Sequence, residues 1–360
     1  MRTDELGKIA RRRKLDFVLV RDQANIRALT GVNCDNAVLK VEKVEKVEIY
    51  TDFRYVPMVH RVAPKLICRD IRRLGVSPKG KRRPRRLLRI GYESSISHAQ
   101  FLAWQKKFPK ATFVDISKDL AAIRAVKTPE EIESLRAAEK LNCDIWNAAR
   151  QKFRAGMTER EMARIIQKMM IERGEGEAFD TIVCVGKNAA ECHHEPDDTV
   201  WNGREPVLVD MGVKLNGFCS DLTRNVRQGE CYHAEAQRRR GFRKSGLYWE
   251  VYDLVLKANL AAIAAAKPGM TGKQLDKVAR DVIKKGGFGK CFGHSLGHGV
   301  GYEIHEAPYA STKKGDMVLK PGMLVTIEPG IYLEDNLGVR IEDLVLITET
   351  GCEVLSDCDK

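Results

Sequence analysis

The sequence predicts a two-domain chain of α/β (α+β) class, from three observations. Its 360 residues, 43% hydrophobic, exceed what one ordinary core organises and suffice for two. Thr128-Pro129-Glu130-Glu131 combines a Thr N-cap, a Pro at the first helical position and a Glu three residues after the cap, a capping box that opens a long helix and marks a boundary. Gly156-Met157-Thr158 recurs as Gly269-Met270-Thr271, which gives the second part an internal repeat. The domains are placed at residues 1–124 and 125–360.

In the first domain the short apolar runs Phe17–Val20, Val47–Tyr50 and Thr112–Val114 alternate with helical stretches, as a separate α/β unit requires. In the second, each repeated Thr opens a capping box, closed by Glu161 in one copy and Gln274 in the other. The same apolar face follows at i, i+3, i+4, i+7 and i+8: Met162, Ile165, Ile166, Met169 and Met170 against Leu275, Val278, Ala279, Val282 and Ile283. A helical segment precedes each copy, over 129–153 and roughly 246–266, and strand-like runs follow. Chance similarity of two amphipathic helices is the alternative, since the shared tripeptide is short; two related α/β halves about a pseudo-twofold axis is the reading adopted.

Composition narrows the function classes. The longest apolar run near the start, Phe17–Val20, is far short of the roughly 20 residues of a membrane span, and Met-Arg-Thr-Asp-Glu-Leu is no secretory h-region, so a cytoplasmic protein is expected. Ten cysteines without a Cys-x-x-Cys pair read as reduced thiols. The net charge of +13 is unevenly distributed: residues 1–127 hold 30 Lys+Arg against 13 Asp+Glu, and the rest holds 32 against 36. Arg72 to Arg89 carries nine Lys/Arg and no acid, interrupted by Gly75, Pro78, Gly80 and Pro84. Such a run is a solvated loop, an oligomer contact or a nucleic-acid patch; no zinc-finger spacing or aromatic-rich RNA signature supports the last, and nucleic acid is not expected as a partner.

The chemistry lies in the second domain. Asn216-Gly217 is a two-residue hairpin signal between Val207–Val213 and Phe218–Arg224. With Leu215 facing Phe218, residue 210 pairs with 223 and 212 with 221, so Asp210 and Asp221 become diagonal neighbours on one face. An exposed hairpin face is the bland alternative; otherwise an Asp in so apolar a strand needs compensation. Of eight histidines, five cluster as His193 and His194, then His294, His298 and His305. Glycines at 293, 297, 299 and 301 rule out a stable helix around His294 and His298, hence the helical two-histidine zinc motif, and suggest backbone held close to something; structural histidines in a Gly-rich loop are the alternative. Glu328 ends the run Met323–Ile327 before Pro329-Gly330, and Glu342 lies within Gly338–Ile347, where Arg340 is expected on the same strand face. Four carboxylates in apolar strands need more positive charge than one Arg supplies, and two divalent cations supply it. An oxygen-rich set with one imidazole suits Mn²⁺, Co²⁺ or Fe²⁺ better than a thiolate zinc site. Two such ions about 3.5–4 Å apart perform hydrolase chemistry on a carbonyl.

The order Asp, Asp eleven residues later, Gly-His-Gly, Glu-Pro-Gly and Arg-Ile-Glu-Asp resembles the metallopeptidases of pita-bread fold, the group of methionine aminopeptidase, aminopeptidase P and prolidase. Asn25–Gly31 and Tyr50–Tyr55 resemble the creatinase-type N-terminal domain, which favours the proline-directed branch. The resemblance implies Asp210, Asp221, His298, Glu328 and Glu342 as ligands of two metal ions, Mn²⁺ first with Co²⁺, Fe²⁺ or Zn²⁺ as alternatives, Asp221 and Glu342 bridging. It implies that His305 stabilises the reacting carbonyl, that His193 faces substrate with His194 a bystander, and that Glu328 also moves the proton. His294 and Arg340 are expected beside the substrate or behind the ligands. The implied protein is a homodimeric Xaa-Pro aminopeptidase acting on peptides with proline in second position; the alternatives are a strict Xaa-Pro dipeptidase and a non-catalytic binding module on the same fold. Two departures stand out: residues 231–248 are longer and more basic than the connection expected there, and Tyr302 replaces an aliphatic residue after Gly-His-Gly-Val-Gly.

Overall fold

The computed structural model describes residues 2–43, 46–75, 87–226 and 246–360. Most of the basic run (76–86) and nearly all of the 231–248 insertion lie outside the described residues. Two compact units result, Met1–Arg124 and Ala125–Lys360.

The first unit runs α1 (Thr3–Arg12), β1 (Phe17–Val20), α2 (Gln23–Thr30), β2 (Ala37–Lys43), β3 (Lys46–Thr51), α3 (Val56–Val62), β4 (Ile67–Asp70), β5 (Leu88–Tyr92), α4 (His98–Lys107), β6 (Ala111–Asp115) and α5 (Ser117–Ala125). Its strands form one mixed sheet in the order β4-β3-β2-β1-β5-β6. Both faces of β1 are covered, which explains an unbroken apolar run where a half-exposed strand would alternate: Val18 and Val20 pack with Leu6, Ile26 and Leu120, while Phe17 and Leu19 pack with Ile90 and Trp104.

The second unit opens with α6 (Pro129–Arg150), and its Thr128–Glu131 capping box is formed in both directions. Then come α7 (Glu159–Arg173), β7 (Ile182–Val185), β8 (Val207–Met211), β9 (Lys214–Leu215), β10 (Phe218–Cys219), β11 (Leu222–Val226), α8 (Leu247–Ala265) and α9 (Gly272–Lys285). The remaining strands are β12 (Gly297–Gly299), β13 (Glu306–Ala310), β14 (Leu324–Ile327), β15 (Gly330–Leu333), β16 (Leu337–Arg340), β17 (Asp343–Ile347) and β18 (Cys352–Val354).

The repeat is structural. Each Gly-Met-Thr tripeptide forms the same isolated bridge with a later extended segment: Gly156 N donates to Trp201 O and Trp201 N to Met157 O, both at 2.8 Å, while Gly269 N donates to Leu319 O at 3.0 Å and Leu319 N to Met270 O at 2.7 Å. Both glycines hold positive φ, 94° and 86°, where a Cβ is strained. Both threonines form reciprocal capping boxes, and Met162, Ile166, Leu275 and Ile283 are fully buried on the matching faces. No helix among the described residues is long and apolar enough to cross a membrane.

One expectation needs correcting. Gly338–Ile347 is two strands, not one: β16 pairs with β15, the chain breaks at Ile341-Glu342, and β17 pairs with β14. At the break, Glu342 N leaves the ladder to donate to Thr223 O at 3.2 Å, so Arg340 and Glu342 share no strand face and meet instead through the Thr223 side chain.

Candidate metal centre

The hairpin forms in the register expected. Asn216 and Gly217 take positive φ of 53° and 71°, a turn whose twist matches the strands it joins, and Leu215 pairs with Phe218 and Asp210 with Thr223. Between the two ladders the backbones close in: a Cβ on Gly212 would stand 2.3 Å from Ser220 O. Asp221 follows that constriction, buried, with its backbone N–H held by Glu139 Oε2 at 3.2 Å.

His298 sits in the short strand β12 and in no helix, as the glycines lead one to expect. Its neighbours have no room for side chains, since a Cβ on Gly297 would lie 2.0 Å from Thr326 O and one on Gly299 would lie 2.4 Å from Ala307 O. Gly301 is similarly crowded by Glu306; Gly293 is open, so close approach does not explain it. His298 Nδ1 donates to Gly299 O at 3.2 Å, which turns Nε2 toward Glu328 Oε1 at 3.3 Å and Asp221 Oδ2 at 3.6 Å. Ligand atoms of Asp221, His298 and Glu342 all lie within 4.8 Å of one another.

Asp210 joins them through Arg340, whose Nη2 donates to Asp210 Oδ2 at 2.6 Å. The same guanidinium donates from Nε to Thr223 Oγ1 at 3.0 Å and from Nη1 to the Tyr332 hydroxyl at 2.9 Å. Thr223 Oγ1 in turn donates to Glu342 Oε2 at 2.7 Å. His294 closes this rear wall: its Nδ1 donates to Ser295 O at 2.8 Å, leaving Nε2 to accept from Tyr332 at 2.8 Å.

These bonds satisfy one oxygen of Asp210 and one of Glu342. The others, Asp210 Oδ1 and Glu342 Oε1, are buried without a hydrogen-bond partner among the described residues. Buried carboxylate oxygens do not stay unpaired without a cation or a proton. Burial and mutual repulsion accordingly push Asp221 and Glu342 well above the usual carboxylate range, and burial raises Asp210 against the pull of Arg340. Glu328 behaves oppositely: burial raises it too, but the bond and charge of His298 outweigh burial and hold it down. A ring nitrogen aimed at carboxylates, with orphan oxygens beside it, is a donor set that fits divalent cations once the nitrogen gives up its proton. The set is four carboxylates and one imidazole, and these five side chains would hold them.

The other histidines separate into two kinds. His305 is exposed, with its ring 4.3 Å from that of His298, and partial burial and the His298 charge push its pKa down, leaving a neutral imidazole; His193 is exposed too and its charge acts on His305 in the same direction. His194 turns inward: Nε2 donates to Glu159 Oε2 at 2.7 Å and Nδ1 to Glu191 Oε2 at 3.2 Å, which makes it a fastener of the loop carrying His193. Tyr302 stacks on Phe218 at 4.4 Å and its hydroxyl donates to Glu131 Oε1 at 3.1 Å.

Sequence reasoning missed Thr223, Tyr332, Thr326 and Glu139. Thr223 was available, since the hairpin register places it opposite Asp210. Glu139 was available too: it stands one turn after Leu135 on the buried face of α6 and is itself fully buried. Thr326 accepts from His298 N at 3.0 Å and donates to Glu328 Oε1 at 3.1 Å, and neither it nor Tyr332 carries a sequence signal.

Against known proteins, the profile of Metallopeptidase family M24 matches residues 133–349 and that of the Creatinase/Prolidase N-terminal domain matches residues 2–126. An Xaa-Pro dipeptidase of Pyrococcus furiosus is 39% identical over 272 residues, 75% of this chain and 74% of its own length. Among solved structures, a prolidase from Pyrococcus furiosus superposes with TM-score 0.85 at 32% identity over 98% of this chain and 100% of the other. An X-Pro aminopeptidase from Thermotoga maritima superposes with TM-score 0.81 at 30% identity over 99% and 98%. The two-part architecture, a creatinase-type unit followed by a pita-bread unit, is shared with these proteins.

Proposed function

The chain belongs to metallopeptidase family M24, and from that premise we propose that it hydrolyses the peptide bond between an N-terminal residue and a following proline, with two divalent metal ions held by Asp210, Asp221, His298, Glu328 and Glu342. The observation that carries the metal assignment is the pair of orphaned buried oxygens, Asp210 Oδ1 and Glu342 Oε1, beside the cluster of His298 Nε2 with Asp221 and Glu342. The donor set favours manganese. Bound there, the ions supply Lewis acidity toward water and toward the scissile carbonyl.

The side chains divide the remaining work. Arg340 and Thr223 each tie down one oxygen of a ligand, Asp210 and Glu342, and leave the other free to point inward. Glu328, held ionised, accepts a proton and passes it to the leaving nitrogen, which a tertiary amide needs because it leaves poorly without protonation. His305, kept neutral, donates to the carbonyl oxygen as negative charge develops on it, and His193 lines the same side. A proline nitrogen has no hydrogen to offer, so its subsite needs no acceptor.

For end-group selection, the Pyrococcus furiosus relatives named Xaa-Pro dipeptidase and prolidase favour dipeptide substrates. The Thermotoga maritima aminopeptidase, alike over nearly the whole chain, supports the aminopeptidase reading as the second. Hydrolysis of Ala-Pro, Ala-Pro-Ala, Ala-Ala and Ala-Ala-Ala with Mn²⁺ separates the readings. We expect kcat/KM on the proline series to exceed the alanine series at least about tenfold, roughly 1.4 kcal/mol. Ala-Pro ahead of Ala-Pro-Ala marks a dipeptidase and the reverse an aminopeptidase; equal rates on proline and alanine peptides contradict proline specificity.

A further inference from the structure

Behind the metal centre, residues 355–360 are fastened to both halves of the second unit. Ser356 Oγ donates to Glu139 Oε1 on α6 at 2.6 Å and accepts from Leu344 N on β17 at 2.8 Å. Arg224 Nη2 donates to Cys358 O at 3.2 Å, and Lys360 Nζ reaches Asp343 Oδ2 and, at 2.9 Å, Asn259 Oδ1. Cys143 stands one turn beyond Glu139, hence on the same face of α6. Two residues after Ser356 comes Cys358, whose thiol is hydrogen-bonded to that of Cys143, and both pack in one apolar cluster with Ile145, Met170 and Val226. Ser356 with Glu139, and Cys358 with Cys143, thus meet α6 one turn apart.

We propose that Cys143 and Cys358 form a reversible thiol oxidation site, which a hydroperoxide closes into an intrachain disulfide that ties residues 355–360 to α6. Cys358 is the attacking sulfur. It is half-buried where Cys143 is fully buried, and the Cys143 hydrogen bond and the Arg224 guanidinium hold its thiol below the usual range against the effect of burial. Its thiolate displaces the peroxide O–O bond, forming an S–O bond and releasing alkoxide or hydroxide; sulfur is oxidised and the peroxide reduced. Cys143 sulfur then attacks the sulfenic sulfur, the S–S bond forms, the S–O bond breaks, and water leaves with the Cys143 proton. The supports drawn together are those of the metal ligands: Glu139 holds Asp221 N, and Arg224 bonds Glu342 O and, at 2.9 Å, Asp343 Oδ1.

The test treats the manganese-loaded protein with hydrogen peroxide, blocks remaining thiols by alkylation, and maps peptides without reduction. The expected result is a linked pair of peptides carrying Cys143 and Cys358, short of two hydrogens and released by dithiothreitol. The link closes a loop of well over 100 residues, so the oxidised form should melt about 5 °C or more above the reduced form. Cys358→Ser and Cys143→Ala should each lose both the link and the shift. Recovery of both thiols in alkylated form, or conversion of Cys358 to sulfinic acid without linkage, overturns the proposal, and the wild-type map decides this even if a variant fails to fold.

Discussion

Among the described residues, two clusters bring a histidine and carboxylates within metal-binding distance, Glu159 with His194 and Asp197, and Asp221 with His298 and Glu342. Their hydrogen bonds distinguish them. Glu159 accepts from Val185 N at 2.6 Å and Asn188 Nδ2 at 2.9 Å on one oxygen, and from His194 at 2.7 Å and Asp197 N at 3.0 Å on the other. Four donors surround one carboxylate, and a cation there would have to displace N–H groups already bonded to it. At the second cluster and the neighbouring Asp210 the donors stop short: the Arg340 guanidinium and the Thr223 hydroxyl fill one side of Asp210 and Glu342, and the other oxygens have no partner among the described residues. Proximity of ligand atoms is common to both, so the unfilled acceptor is what marks a metal site.

The largest expected effect separates the two clusters by substitution. Asp221→Asn should lose bound metal and peptidase activity together, by about a thousandfold or more, because an amide cannot replace a charged ligand. Glu159→Gln should keep its metal and instead lose about 3 kcal/mol of stability, since the amide turns N–H toward N–H in a buried site. Metal analysis and urea midpoints on the two variants check this, and a metal-depleted Glu159→Gln protein would break the distinction.

Next in size is His305→Ala. The account assigns it to the carbonyl and not to the metal, so metal content should be unchanged while kcat falls about a hundredfold with a smaller change in KM. Loss of metal in that variant would mean that His305 and His298 have been exchanged in role.

The smallest effect concerns pH. Burial lowers the His194 pKa, but its bonds to Glu159 and Glu191 outweigh burial and raise it above the unfolded value of 6.5. A raised folded pKa gives stability that is complete below about 6.5 and fades as pH climbs past the folded value. The urea midpoint of the wild type should therefore exceed that of His194→Gln at pH 6 and approach it by pH 8 to 9; a gap that widens with pH contradicts the charged latch.

Much of this was legible from residues alone because local chemistry fixed it. Asn216-Gly217 dictates a two-residue turn, the turn dictates register, and register puts Asp210 opposite Thr223; likewise each Gly-Met-Thr carries its own positive φ and cap. What stayed hidden depends on which chain segments meet. Period-two reasoning carried one strand through Gly338–Ile347, whereas Glu342 N is captured by Thr223 O, a partner more than a hundred residues away. The inward turn of His194 was equally invisible, because its partner Glu159 reads in sequence as an ordinary first-turn acid of α7. Nothing in the sequence distinguishes a carboxylate with four donors from one with an orphaned oxygen.

The central claim is that the orphaned cluster holds the two ions that hydrolysis requires, and metal titration of the apoprotein tests it most directly. The protein is stripped with chelator, Mn²⁺ is returned stepwise, and bound metal per chain is measured alongside Ala-Pro hydrolysis. The account predicts no activity in the stripped protein, two ions bound per chain at saturation, and a melting temperature that rises as the buried carboxylates are neutralised. Full Ala-Pro hydrolysis by metal-free protein, or saturation at two ions in Asp221→Asn, would contradict it.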